Sequence, residues 1–214
     1  MAKDQEKIVT AIILAAGPSS RMGQSKQLLR ANGEALLRLV TRVTCESNAT
    51  HTLVVLGQNE QIHGRIIRDL PVFHCVHSGW EKGMGSSLKA GMEFVRSFLP
   101  TTQAVIVLVS DQPLLTTDHL NRLIEKYVTD GKTIVASGYA GILGVPALFD
   151  AIHFESLQAV DDTHGARQVI ENHKPNAASI EFTGGSVDLD TPEDYQQYQA
   201  SMKVQEEVRR QVTP

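Results

Sequence analysis

The sequence predicts a three-layer α/β/α sandwich built on a mostly parallel sheet. Two observations carry that expectation. Short β-rich apolar runs alternate with longer amphipathic runs along the chain, the pattern of strands joined by crossover helices. The first apolar run also opens into a loop of small residues, at the strand end where open α/β sheets bind ligands.

The strand candidates are 8–14 (Ile-Val-Thr-Ala-Ile-Ile-Leu), 52–56, 72–76, 104–109 and 133–137. Their nearly unbroken apolar character suits strands covered on both faces. Helix candidates fall at 34–47, 60–69, 86–98 and 117–128, the first opening near Asn32. Ser86 and Ser87 suit the cap of the third helix, after Gly83-Met84-Gly85, and Thr116 and Thr117 that of the fourth. Thr191-Pro192-Glu193-Asp194 combines an N-cap Thr, Pro at the first helical position and first-turn acids, so a helix is expected from there to about Arg210. Between Gly138 and Gly185 the glycines and Pro146 interrupt the pattern, which reads as an insertion that builds the second half of a site. One domain over 8–200 is expected, with tails at 1–7 and 201–214, the latter continuing the last helix.

The chain has 214 residues, 42% of them hydrophobic, and a formal net charge of −4. That balance speaks against nucleic acid or an anionic membrane surface as the main partner. Its two cysteines, Cys45 and Cys75, form neither a disulfide framework nor a metal motif and read as buried reduced thiols. The start, 1–7, is charged and lacks the apolar core of a signal peptide, and no run approaches the length of a membrane span. A cytoplasmic location is therefore expected. The eight histidines are scattered and form no ligand pair.

The loop Leu14-Ala15-Ala16-Gly17-Pro18-Ser19-Ser20-Arg21-Met22-Gly23-Gln24-Ser25-Lys26 is the most specific segment. It lacks Gly-x-Gly-x-x-Gly, and Lys26 does not follow Gly23 directly, so it is neither a dinucleotide fingerprint nor a P-loop. Ala15, Ala16 and Gly17 keep it slim enough for a ligand to approach the backbone. Arg21 can fork onto phosphate oxygens and Lys26 supplies a point charge. Asp111, at the end of the run Val105-Ile106-Val107-Leu108-Val109-Ser110, places a hard oxygen ligand at the same sheet edge, where a divalent cation bridging phosphates would need one.

On these residues the chain resembles the nucleotidyltransferases of the glycosyltransferase-A-like, or nucleotide-diphospho-sugar transferase, fold, which implies that the α/β/α sandwich is Rossmann-like in its nucleotide half. Trp80-Glu81-Lys82-Gly83-Met84-Gly85-Ser86-Ser87-Leu88 resembles the Gly-Met-Gly-Ser-Ser-Leu motif of molybdenum cofactor cytidylyltransferases. The resemblance implies that Gly85, Ser86 and Ser87 join Leu14 to Gly17, Arg21 and Lys26 in holding the nucleotide. It implies that Asp111 binds Mg2+, where relatives carry Gly-Asp-x-Pro. Val187-Asp188-Leu189-Asp190-Thr191-Pro192-Glu193-Asp194 is similar to the family's Asp-Ile-Asp-Thr-Pro-Glu-Asp. It implies Asp190 as the second metal ligand and Asp188 as its support. Arg21, Lys26 and Asp111 are then the catalytic set.

The acceptor side departs from the relatives. Val145 stands where His is usual in Gly141-Ile142-Leu143-Gly144-Val145-Pro146. Asp161-Asp162-Thr163-His164 replaces the usual Gly-Asp stretch before Gly165-Ala166-Arg167. Gly144, Pro146, Asp162, His164 and Arg167 are the acceptor-binding candidates. The implied reaction transfers CMP from CTP to a phosphorylated acceptor, with release of pyrophosphate. Molybdopterin carrying molybdenum is the favoured acceptor, and a molybdoenzyme or its chaperone the downstream partner. Another base, or a sugar or polyol phosphate acceptor, is the alternative within the class. A non-catalytic protein that binds or delivers the molybdenum cofactor is the alternative outside it.

Overall fold

The computed structural model describes residues 7–212, with side chains through Val204. Nine strands and seven α-helices follow one another along it: β1 (Val9–Ala15), β2 (Arg30–Ala31), β3 (Glu34–Ala35), α1 (Leu36–Cys45), β4 (His51–Leu56), α2 (Glu60–Ile67), β5 (Phe73–Val76), α3 (Met84–Phe98), β6 (Ala104–Val109), α4 (Thr117–Asp130), β7 (Ile134–Tyr139), β8 (Ile142–Asp150), α5 (Phe154–Gln158), α6 (Arg167–Asn172), β9 (Ala178–Glu181) and α7 (Pro192–Val212). Seven strands form one sheet in the order β5-β4-β1-β6-β8-β7-β9. All its neighbours pair in parallel except β8, which runs against both β6 and β7.

The alternation of side chains along each strand splits the core into two layers. Val9, Ala11, Ile13 and Ala15 of β1 face α1 and α4 residues such as Leu37, Val40, Leu120 and Leu123. Ile12 and Leu14 face Leu88, Met92 and Val95 of α3, with Leu157 of α5 and Val169 and Ile170 of α6 on the same layer. This is the expected three-layer sandwich. Gly91 lets α3 lie close against the sheet, since a Cβ there would stand 2.8 Å from Ile12 Cγ2. Among the described residues no helix is long and apolar enough to cross a membrane.

Four local expectations need correction. The first helix opens at Leu36 rather than near Asn32, because Asn32 (φ 50°) and Gly33 (φ 83°) turn the β2–β3 hairpin. Asn-Gly supplies the two positive φ values that such a two-residue turn demands. Ser86 and Ser87 do not cap α3: it starts at Met84 after Gly83, with no side-chain cap. Thr116 does cap α4, accepting from His119 N–H at 3.2 Å, while Thr117 Oγ1 donates instead to the Val43 carbonyl. Cys45 and Cys75 are free but only half-buried, and burial raises the Cys75 thiol to about 11.

The irregular stretch after Gly138 contains the longest strand, β8. Pro146 cannot donate to a ladder, which ordinarily argues against a central strand. The β7–β8 register shifts between Ala136, opposite Ala147, and Ser137, opposite Gly144. Val145 and Pro146 therefore bulge out of the ladder and the missing N–H goes unneeded.

Candidate active site

The first loop and both acidic segments meet at the C-terminal edge of β1 and β6. These strands are direct neighbours, with Leu14 opposite Val109, so Lys26 and Asp111 start from adjacent positions. Asp190 arrives from 79 residues later, and a backbone bond from Leu189 N–H to the Asp111 carbonyl, 3.1 Å, holds it there. At the start of α7, Thr191 and Asp194 bond reciprocally: Asp194 Oδ2 accepts from Thr191 N–H and Oγ1 at 2.8 Å each, and Thr191 Oγ1 accepts from Asp194 N–H. This capping box fixes the residue just before it.

Lys26 Nζ donates to Asp111 Oδ2 and, at 3.1 Å, to Asp190 Oδ1. Arg21 donates to the other oxygen of Asp190 at 2.8 Å, its own side chain 70% exposed. Burial works to lower the Lys26 ammonium, but Asp111 and Asp190 outweigh it and hold its pKa above the ordinary lysine value. Beside them Asp188 is pushed up to about 6, by burial of its carboxyl first and then by the charges of Asp111 and Asp190. Two cations and three carboxylates thus share one sheet edge.

Asp111 Oδ1 is buried and has no hydrogen-bond partner. A buried carboxylate oxygen without a donor is costly, and a hard cation would satisfy it. No group of three or more His, Cys, Asp or Glu side chains among the described residues is placed to hold a metal ion by itself. Two carboxylates completed by substrate phosphates are, however, a usual magnesium site. Asp111 and Asp190 fit that role, and Lys26 now spans them.

A cleft of about 210 Å³ lies over this edge, lined by Leu14 to Pro18, Lys26, Gln27, Trp80, Gly83, Met84, Ser87, Val109, Ser110 and Asp111. A second cavity of about 580 Å³ shares Leu14, Met84 and Val109 with it and is otherwise walled by Val107, Val145, the segment from Thr163 to Gln168, Glu171 and Asn172. The sheet itself makes room for it. Pairing of β6 with β8 stops at Val107–Ala147, and the strands diverge beyond that point.

Leu14, Ala15, Ala16, Gly17, Lys26 and Asp111 line the first cleft, with Ser87 opposite. Ser86 turns away: its hydroxyl bonds the Gly83 carbonyl at 2.7 Å and His77 Nε2 at 3.0 Å. Gly85 does not open toward the cleft either. A Cβ there would collide with the Asp161 and His164 carbonyls, and the amide of Ser86 is spent on the Asp162 carbonyl, 3.2 Å. The double glycine seats the Asp161–Gly165 loop on α3.

On the acceptor side, His164 and Arg167 line the second cavity. Gly144 is covered by the Tyr139 ring, and Pro146 is buried with its carbonyl accepting from Ser137 Oγ at 2.5 Å. The Asp162 side chain leaves the cavity to pair with Lys89. The reading of single motifs missed Gln112. Its buried amide nitrogen donates to the Gly185 carbonyl at 3.2 Å and the Val145 carbonyl at 3.4 Å, tying the Asp111 loop to both neighbouring segments. A polar residue between Asp111 and Pro113 was its only signal.

Residues 11–177 match the family described as the MobA-like NTP transferase domain. The purine catabolism protein PucB of Bacillus subtilis is 27% identical over 202 residues, 89% of this chain and 96% of its own. The homologue of Rv0371c from Mycobacterium sp. strain JC1 superposes with a TM-score of 0.77 at 27% identity, over 90% of this chain and 96% of that one. Mycobacterium tuberculosis Rv0371c, solved as a complex with manganese, gives 0.73 at 20% identity over 90% and 98%. The family match spans well over half of the sequence: the chain belongs to the MobA-like NTP transferase family and is a nucleotidyltransferase.

Proposed function

We propose that the protein transfers CMP from CTP to a phosphorylated acceptor, molybdopterin carrying molybdenum being the favoured one. The observation that carries the reading is the cluster of Lys26 and Arg21 against Asp111 and Asp190, of which Lys26 and Asp111 line the first cleft. A phosphate oxygen of the acceptor attacks the α-phosphorus, the bond to the α–β bridging oxygen breaks, and pyrophosphate leaves. Such a displacement needs position and charge more than covalent help.

Lys26 and Arg21 are the groups that offset charge on the departing β- and γ-phosphates. The slim Ala15–Gly17 backbone lets the triphosphate approach the end of β1. Leu14, Met84 and Val109 form the wall between nucleotide and acceptor, and Arg167 lies at hand for an acceptor anion. A divalent ion, Mg2+ in this reading, would be held by Asp111 and Asp190 and supply neutralising charge to the phosphates when bound; Rv0371c was solved with manganese.

The test is pyrophosphate release with each of the four nucleoside triphosphates, with and without molybdenum cofactor. Release with CTP and cofactor is expected, and Asp111→Asn should nearly abolish it in a folded protein. Activity with GTP alone overturns the cytidylyl assignment. Tight cofactor binding without release from any nucleotide would make the protein a binder or carrier instead.

A further inference from the structure

Four uncharged side chains tie the first loop together: Ser19 and Ser25 from within it, Gln27 at its end and at the edge of the cleft, and His63 from α2. Gln27 is 1% exposed and His63, on α2, is 1% exposed. The Gln27 amide nitrogen donates to the carbonyls of Ala15 and Gly17, each at 3.2 Å. Its oxygen accepts from Ser19 Oγ at 3.0 Å and Ser25 Oγ at 2.9 Å. All four hydrogen-bonding positions of the amide are therefore used. The orientation is forced, because a flipped amide would set its oxygen against two carbonyls.

Ser19 Oγ, having given its proton to Gln27, accepts from Lys26 N–H at 3.0 Å. Ser19 itself sits at φ 55°, a strained backbone for a residue with a Cβ. Ser25 Oγ has likewise spent its single proton, so its 2.8 Å contact with His63 Nε2 makes that nitrogen the donor. His63 is thereby the neutral Nε2–H tautomer. Its other nitrogen, Nδ1, is buried without a partner, which agrees with an unprotonated lone pair there. The chain of bonds runs from α2 through Ser25 and Gln27 to both ends of the loop that carries Lys26.

We propose that Gln27 and His63 are positioning residues, which lock residues 15–27 in the shape that presents Lys26 to the phosphates. The inference rests on the nucleotidyltransferase reading for what the loop binds. Neither residue touches the cleft chemistry through a charge. They act by leaving the loop one conformation, so that nucleotide binding does not have to order it.

Trp80 is the single tryptophan of the chain and lines the cleft with Lys26. Its fluorescence therefore allows a titration with Mg2+–CTP that needs no acceptor. His63→Leu keeps an apolar side chain in the buried site and removes the donor, and Ser25→Ala breaks the same link from the less buried side. Both should raise the CTP dissociation constant about tenfold, the effect of losing one buried hydrogen bond. His63→Gln places an amide donor near the Nε2 position and should return the affinity to within about threefold of wild type. Hydrogen exchange of amides 17–26 without ligand should quicken in His63→Leu and recover in His63→Gln.

A lowered melting temperature with unchanged affinity and exchange in His63→Leu would make His63 a packing residue only and overturn the proposal. Should His63→Leu fail to fold, Ser25→Ala decides on the same readouts. If wild type binds no nucleotide at all, the functional reading falls and takes the proposal with it; if wild type binds and the variants match it, only the proposal falls.

Discussion

Lys26→Met tests the organisation of the carboxylate pair most directly. The substitution keeps the apolar stem that packs in the cleft and removes the ammonium. At 3.1 Å from Asp190 Oδ1, and with an effective dielectric near 20, the attraction to that one carboxylate is about 5 kcal/mol before desolvation is subtracted. Removing one partner from a buried ion pair costs about 3–5 kcal/mol, because the remaining charge is stranded. Lys26 and Asp111 are each 16% exposed and Asp190 29%, which places the cost near the lower end. For a chain of this size that is a fall in melting temperature of about 6–12 °C. The variant then holds two facing carboxylates with no cation between them. Mg2+ or Mn2+ at 100 times its dissociation constant should restore about 2.7 kcal/mol. At the same metal concentration wild type should gain less, since its ammonium competes for the same oxygens. Thermal denaturation in chelator and in rising metal reads both effects. A variant as stable as wild type in chelator, with no larger response to metal, would refute the view of Lys26 as the cation that now spans a two-carboxylate metal site.

Three further outcomes are expected. Gly57→Ala would set a Cβ 2.5 Å from the Ala16 carbonyl and 2.7 Å from Ala16 Cβ; it should cost about 1–3 kcal/mol in urea denaturation and weaken nucleotide binding, because Ala16 belongs to the loop. Burial lowers the His119 imidazole to about 4, while its Nε2 meets Ser137 Oγ at 2.7 Å. Its folded pKa lies below the unfolded value near 6.5, so its contribution is complete above pH 6.5 and is lost as pH falls toward 4. The loss amounts to at most about 3 kcal/mol, and denaturation curves at pH 7 and 4.5 should differ less in His119→Gln than in wild type. Thr116→Ala should cost about 1 kcal/mol through loss of the α4 cap, visible as a lower urea midpoint with unchanged nucleotide affinity.

The three-layer fold was legible because its central strands are covered on both faces. A strand such as β6, buried almost throughout, must be a continuous apolar run whatever surrounds it. Loop chemistry was legible for a related reason: Asp111 lies two residues past the end of β6, and Lys26 sits in the loop that leaves the end of β1, so sequence position already assigns both to one sheet edge. The β2–β3 hairpin was not read, although Asn32-Gly33 marks its turn, because the helical pattern after it drew the boundary too early. Strand β8 was not read either, because Gly144 and Pro146 contradict a central strand unless a bulge absorbs them, and a bulge is defined only by the partner strand.

Side-chain direction lay beyond the sequence in the same way. Ser86 and Ser87 are adjacent and alike, yet one faces the cleft and the other His77, since consecutive helical positions point about 100° apart. Gly85 looks like a residue that frees backbone for a ligand and instead admits two carbonyls of a loop about 80 residues away. By itself the sequence determined the layers, the small-residue loop and the charges that meet at the strand ends, because these depend on periodicity and neighbouring positions. Only the tertiary structure decided which oxygens Lys26 spans, which serine meets the cleft, and that Gln27 and His63 tie the loop together. Hydrogen bonds between residues far apart in the chain leave no pattern until the backbone has brought their donors and acceptors within 3 Å or so of each other.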